Sequence, residues 1–249
     1  MTSSAIVGST GLVGSHILNT LLAHPSISAV HALSRREPRL STPNPHLHAL
    51  ISLDSSTWSS LLSSIPSESS PSLFFSALGT TRAQAGTIEA QRKIDYDLNL
   101  ELVTTFSSFS SQQHEKKKIY ILISTSGANA ASSFPYMRMK GELEEAVKPL
   151  ADAGTQVILL RPGLIVGDRE DSRPAEWVVR KVAGCMGGVN AGLMDFWAQD
   201  AGVIGRAAVS AGLRAMKGRD GEAGEVIPKV WVLGQADIVR LGRTEWKEV

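Results

Sequence analysis

Cysteine occurs once in the 249 residues, at Cys185, so no disulfide can close within the chain and a reducing compartment suits it. Lysine and arginine total 25 against 24 aspartates and glutamates, so no charge excess marks the chain for nucleic acid or an acidic surface. No apolar run approaches the roughly 20 residues needed to cross a bilayer. A strand-like run, "SAIVGS", begins at Ser4, which leaves no room for a secretory leader ahead of it. The histidines, at 16, 24, 31, 46, 48 and 114, are scattered, and "HLH" at 46–48 has no neighbouring partners, so no metal site is expected. These absences predict a soluble intracellular, cytoplasmic chain beginning at or near Met1.

What is present is alternation. Short β-branched or apolar runs lie at 5–8 (AIVG), 28–34 (SAVHALS), 47–53 (LHALISL), 73–78 (LFFSAL), 119–124 (IYILIS), 156–161 (QVILLR) and 230–233 (VWVL). Several are apolar on both faces, as in strands covered on each side. Helical patterns fill the gaps, at 11–24, 87–106, 136–154 and 201–216, and Trp58, Leu61, Leu62 and Ile65 mark a short helix within a serine-rich stretch. Such alternation specifies an α/β fold, a Rossmann-type doubly wound parallel sheet. The alternation loosens after Gly167, so a small carboxyl-terminal substrate lobe is expected, mainly within 168–225 of a single domain spanning 1–249.

The first strand runs into "VGSTGLVGSHIL". Gly8 permits a tight turn, Gly11 lets backbone approach a pyrophosphate, and Gly14 lets the helix pack close to the strand. Ser9, Thr10, Leu12 and Val13 stand between these glycines, where the helix start offers free N–H groups to phosphate. About 20 residues further on, an NAD site usually carries an acidic residue for the ribose 2′-hydroxyl. Here Ser34 is followed by Arg35 and Arg36, two guanidiniums suited to a 2′-phosphate, which favours NADPH. Asp54, ending the third strand, is a candidate for the adenine edge. Ala77, Leu78 and Gly79 close the fourth strand and leave space beside the nicotinamide ribose.

In "SSFPYMRMKGELEEAV", Tyr136 and Lys140 are four residues apart and share one helix face. A phenol of pKa about 10 is a poor acid at neutral pH, and a neighbouring ammonium is expected to lower that value. Lys140 could also bond the cofactor ribose. Ser124, Thr125 and Ser126 end the fifth strand and offer a hydroxyl for a substrate oxygen.

The glycine turn, the hydroxyl-bearing fifth strand, the Tyr136–Lys140 spacing and "RPG" at 161–163 together resemble the short-chain dehydrogenase/reductases, in their extended or atypical branch. "LGTTRAQAG", "KIDYDLN", "STSGANAASSFPYMRMKGELEEAV" and "LRPGLIVGDREDSRPAEWVVRK" are more narrowly similar to the Tat-interactive oxidoreductase-like tumour suppressor family. Its fungal relatives are associated with the mitochondrial outer membrane. The resemblance covers Ala5 to Lys181 and implies Tyr136 as acid/base, Lys140 as its partner, and Thr125 or Ser124 as the hydroxyl. It also implies Gly8, Gly11, Gly14 and Arg35 as cofactor contacts, with Arg161, Pro162, Gly163 and Leu164 forming the turn beside the nicotinamide amide. The central-helix asparagine of many such enzymes has only Asp95 or Asn99 as counterpart. Homodimerisation and peripheral membrane contact belong to the same implication.

The expected function is NADPH-dependent reduction of a small-molecule carbonyl, or oxidation of an alcohol, with no nucleic-acid partner. An NADPH-binding regulatory protein with little turnover, and a redox-neutral epimerase or dehydratase, stand as alternatives. Glu142, Glu144 and Glu145 read as a solvated helix face, and "EKKK" at 115–118 as a solvated loop. Arg169, Arg173 and Trp177 follow the sixth strand, where they could meet substrate or form a structural ion-pair cluster.

Overall fold

Strands that are apolar at every position need cover on both faces. The computed structural model, which describes residues 2–109, 117–167, 198–218 and 226–247, supplies it. Strands β1 (Thr2–Val7), β2 (Ile27–Ser34), β3 (Leu47–Ile51), β4 (Leu73–Ser76), β5 (Lys118–Ile123), β6 (Thr155–Leu160) and β9 (Val230–Leu233) form one parallel sheet in the order β3-β2-β1-β4-β5-β6-β9. Each of the seven expected strand segments lies in it. β1 begins earlier than its apolar run because the hydroxyls of Ser3 and Ser4 find acceptors in the carbonyls of Ser69 and Ala29. β7 (Leu164–Val166) and β8 (Ala198–Asp200) form a separate parallel pair.

Alternate strand residues fill two cores. Ile6, Phe75, Ile121 and Ile158 pack beneath α1 (Leu12–Ala23) and α7 (Ala201–Lys217). Val7, Phe74, Tyr120 and Val157 pack on the opposite face, under α2 (Trp58–Ser63), α5 (Asn99–Ser107) and α6 (Pro135–Val147). Each fully buried side chain of this size contributes about 1.5–3 kcal/mol. Gly205 of α7 lies where an added Cβ would stand 2.9 Å from Cβ of His16, so α1 and α7 approach closely. The terminal helix α8 (Gln235–Val239) completes that layer, while α3 (Arg82–Ala85) and α4 (Ile88–Arg92) follow β4. Between α4 and α5 the helix widens into a π turn over Lys93–Leu98.

Within the "EKKK" segment, Lys117 is exposed and Lys118 half-buried, but both ammonium groups are tied to helix ends. Lys117 Nζ donates to the Ala215 carbonyl near the end of α7, and Lys118 Nζ to the carbonyls of Ser107 and Phe109 at the end of α5. Helix carboxyl ends leave carbonyls without partners and carry partial negative charge, which explains the departure from a solvated loop. Arg169, Arg173, Trp177 and Cys185 lie outside the described residues, as does most of the lobe expected within 168–225.

The chain runs outward from β1 through β2 to β3, then returns to place β4 on the other side of β1. That reversal opens a crevice at the carboxyl ends of β1 and β4. Because all seven strands are parallel, the segments after β1, β4, β5 and β6 emerge along the same edge.

Candidate active site

The glycine turn is built by contact as well as by conformation. Gly8 has φ +82°, and a Cβ there would lie 2.5 Å from the Ala77 carbonyl oxygen, so the turn closes directly on the segment after β4. Gly14 sits so near the turn that its Cβ would fall 2.0 Å from the Gly8 carbonyl oxygen. The Gly11 N–H donates to that same carbonyl at 2.9 Å. α1 begins at Gly11 with no side-chain cap, and Ser9 Oγ is buried without a hydrogen-bond partner among the described residues. A buried hydroxyl left unpaired beside an uncapped helix start suits anionic oxygens as partners.

Opposite the turn, Gly79 is exposed, and a Cβ on it would stand 3.8 Å from both Asp95 Oδ1 and Lys140 Nζ. Asp95 is fully buried in the π turn. Its carboxylate accepts the Thr80 N–H at 2.7 Å and Gln91 Nε2 at 3.4 Å, and Gln91 also donates to the Thr80 carbonyl at 2.9 Å. Asn99 holds the turn open by donating to the Ile94 and Asp95 carbonyls while accepting from Ser76 Oγ. Burial raises the Asp95 pKa, and the Lys140 charge opposes that rise.

Proline at the first position of α6 presets its opening turn. Tyr136 follows and remains 39% exposed, whereas Lys140, one turn on, is 3% exposed. Burial lowers the Lys140 pKa, while Asp95 and then Glu144 hold it up. For Tyr136 the outcome reverses the sequence expectation. Burial, and then the Asp95 charge, raise its pKa above that of an ordinary phenol. Lys140 does not act on Tyr136 as a lone cation, because carboxylates flank it.

Glu144, next on the same face, is also fully buried, contrary to the solvated face read from sequence. It accepts from Ser124 Oγ and from both Nε and Nη2 of Arg161, a partner at the end of β6 that a helical pattern cannot reveal. Glu142 and Glu145 pair at the surface instead, with Arg92 and Lys148. Since the Ser124 hydroxyl donates to Glu144, the hydroxyls free of that network after β5 are those of Thr125, half-buried, and Ser126, exposed. The Ser126 N–H donates to the Pro162 carbonyl at 2.8 Å, and the Gly163 N–H to Gln199 Oε1 at 3.2 Å. Leu164 is exposed at the start of β7.

The loop from 124 to 134 rests on α6 through Gly141, where a Cβ would come within 2.2 Å of the Ala130 nitrogen. The structure thus brings Gly8–Gly14, Ala77–Gly79, Thr125, Tyr136, Lys140 and Pro162–Gly163 to one edge of the sheet. Arg35 and Arg36 are exposed after β2, where Ser34 Oγ braces the bend by donating to the Arg36 carbonyl at 2.7 Å. Asp54 is exposed farther out, its Oδ1 accepting from the Ser56 N–H and hydroxyl, which lower its pKa. Asp95 was expected only as a candidate counterpart, with Asn99, of the central-helix asparagine, and Gln91 and Glu144 were not singled out as site residues. The one signal for Asp95 and Gln91 was their recurrence with Asn99 at four-residue spacing on a face that packing should make apolar. Among the described residues, no cluster of three or more His, Cys, Asp or Glu is placed to hold a metal, and no helix is long and apolar enough to cross a membrane.

Among solved structures, the chain is similar to a short-chain dehydrogenase/reductase from Saccharomyces cerevisiae, with TM-score 0.67 and 12% identity over 97% of this chain and 100% of that one. It is also similar to a 3-oxoacyl-[acyl-carrier protein] reductase from Brucella melitensis, solved in complex with NAD, with TM-score 0.66 and 15% identity over 94% and 96%. At such identity these likenesses speak for the fold alone. A model of the HIM1 family matches residues 64–183. Protein fmp52-1, mitochondrial, of Aspergillus terreus is 49% identical over 98% of this chain and 100% of its own length. Protein fmp-52, mitochondrial, of Neurospora crassa is 43% identical over 99% and 98%. This chain belongs to the family of the fungal Fmp52 proteins.

Proposed function

We infer that this protein is an NADPH-dependent oxidoreductase of the short-chain type, acting on a small-molecule carbonyl or alcohol. One arrangement carries the reading: a buried Lys140 stands one turn behind an accessible Tyr136, beside the loop that closes on the glycine turn. Ser9 Oγ, without a partner among the described residues, and the uncapped start of α1 fit a pyrophosphate. Arg35 and Arg36, with no carboxylate at the end of β2, fit a 2′-phosphate. When bound, NADPH supplies the hydride. Tyr136 Oη gives its proton to the substrate oxygen, and the Thr125 hydroxyl donates a hydrogen bond to the same oxygen. Lys140 stabilises the phenolate left behind, which solvent reprotonates.

Fluorescence titration of protein freed of carried-over cofactor tests the binding half. NADPH binding far tighter than NADH binding is expected, and binding of neither would sink the reading. Tyr136→Phe should abolish turnover on any carbonyl that the wild type reduces while leaving NADPH binding intact. Turnover retained by that variant would remove Tyr136 from the chemistry.

A second reading, an NADPH-binding protein with little turnover, is favoured by the commitment of Ser124 to Glu144, which takes one of the two candidate hydroxyls out of play. Tight NADPH binding with no substrate across a broad carbonyl panel would support it. The word "mitochondrial" in the relatives' names supports the same address for this chain. The resemblance to the tumour suppressor family refines that address to the outer membrane face, by peripheral attachment. Carbonate extraction of isolated mitochondria should release the protein, and retention in the pellet would refute peripheral attachment.

A further inference from the structure

Lys140 is a buried cation, and a buried cation without a counter-charge would shed its proton or destabilise the fold. The groups facing it are known. Tyr136 and Glu144 lie one turn to either side on α6, and Asp95 reaches in from the π turn. Glu144 is already engaged by both Nε and Nη2 of Arg161 and by Ser124 Oγ. Asp95 has no arginine or histidine partner among the described residues. Its hydrogen bonds come from neutral donors, Thr80 N–H and Gln91 Nε2, and its Oδ1 and the Lys140 Nζ both lie 3.8 Å from the point a Gly79 Cβ would occupy.

We propose that Asp95 is a positioning residue, the counter-charge that keeps Lys140 an ammonium while tying it to the loop after β4. The geometry explains the widened helix. Asn99 donates to the Ile94 carbonyl five residues back as well as to the Asp95 carbonyl four back, and the extra residue in that turn carries Asp95 toward α6. The same carboxylate holds the Thr80 N–H, so one group sets both the charge of Lys140 and the position of Gly79 and Thr80. The consequence for proton transfer from Tyr136 rests on the functional reading above. The placement of the two charges beside Gly79 does not.

The test is a double-mutant cycle read by thermal unfolding at two pH values, without cofactor or substrate. Asp95→Asn keeps an oxygen for the Thr80 N–H and removes only the charge. It should lower the Tm at pH 7 by about 10 °C, as expected when a buried cation loses its counter-charge. The sign with pH follows from the lysine. Without Asp95 its folded pKa falls further below the unfolded value of about 10.4. The unfolded chain therefore binds more protons between the two values, and stability rises with pH across that window. The Asp95→Asn deficit should shrink by pH 9.5, and Asp95→Asn/Lys140→Met, which removes both charges, should regain most of it at pH 7.

A deficit that is the same at both pH values and persists in the double variant would mean that Asp95 acts by packing alone, and overturns the proposal. An unchanged Tm for Asp95→Asn overturns it too. Should the single variant not fold, recovery of folded double variant supports the proposal and its failure refutes it. NADPH titration of the wild type judges the functional reading separately, because the cycle contains no cofactor.

Discussion

Tyr136 shows how a residue's chemistry is set by what surrounds it. Burial and the Asp95 charge raise its pKa, so the phenol stays protonated throughout the neutral range. As proton donor in reduction it should therefore hold its rate from pH 7 to pH 9, declining only above the ordinary phenol value of about 10. Oxidation of an alcohol needs the phenolate and should rise with pH over the same interval. Initial rates in both directions on one substrate pair would check this, and a reductive rate that halves by pH 8 would contradict it. Glu144 is the second case. Glu144→Gln weakens a buried pair with Arg161, whose side chain is 31% exposed and keeps some water, so a loss of about 2 kcal/mol is expected in urea unfolding. A loss below about 0.5 kcal/mol would class the pair with ordinary surface bridges.

At the scale of elements, the loop between β5 and α6 depends on a missing side chain. Gly141→Ala would drive a Cβ to 2.2 Å from the Ala130 nitrogen, with the Asn129 carbonyl carbon equally near. Both are backbone atoms, so the loop carrying Thr125 must shift as a unit. The variant should stay folded, since alanine favours helix by about 1 kcal/mol over glycine, yet lose most of its turnover. Unchanged activity would show that the loop does not set the site. "YMRMKGEL" reads as a helix with a weak spot, and nothing local says that a loop crosses it there. The short-range features of the site were legible: the glycine turn, the four-residue Tyr136–Lys140 spacing and the serine-bearing strand end. The pairing of Glu144 with Arg161 was not, because its partner lies on another element, just past the end of β6.

For the whole molecule, the parallel sheet sends the loops after β1, β4, β5 and β6 to one edge, so ligand binding should stabilise the domain as a unit. NADPH at 100 times its dissociation constant should add about 2.7 kcal/mol, or several degrees in Tm. NADH at the same concentration should add much less, and Arg35→Ala/Arg36→Ala should bring the two shifts together. Equal shifts in the wild type would remove the arginines from cofactor choice. Both halves of the chain's information are visible here. The sequence by itself determined the seven strands of the main sheet, the longer helices and the glycine turn, because each depends on residue periods and backbone freedom that act over a few neighbours. Tertiary structure alone decided that Asp95 and Glu144 are buried around Lys140, and that Glu142 and Glu145 are not. Burial and pairing depend on which separate segments meet, here Thr80 with Asp95 and Arg161 with Glu144, and a carboxylate's charge state follows from those meetings rather than from its own type.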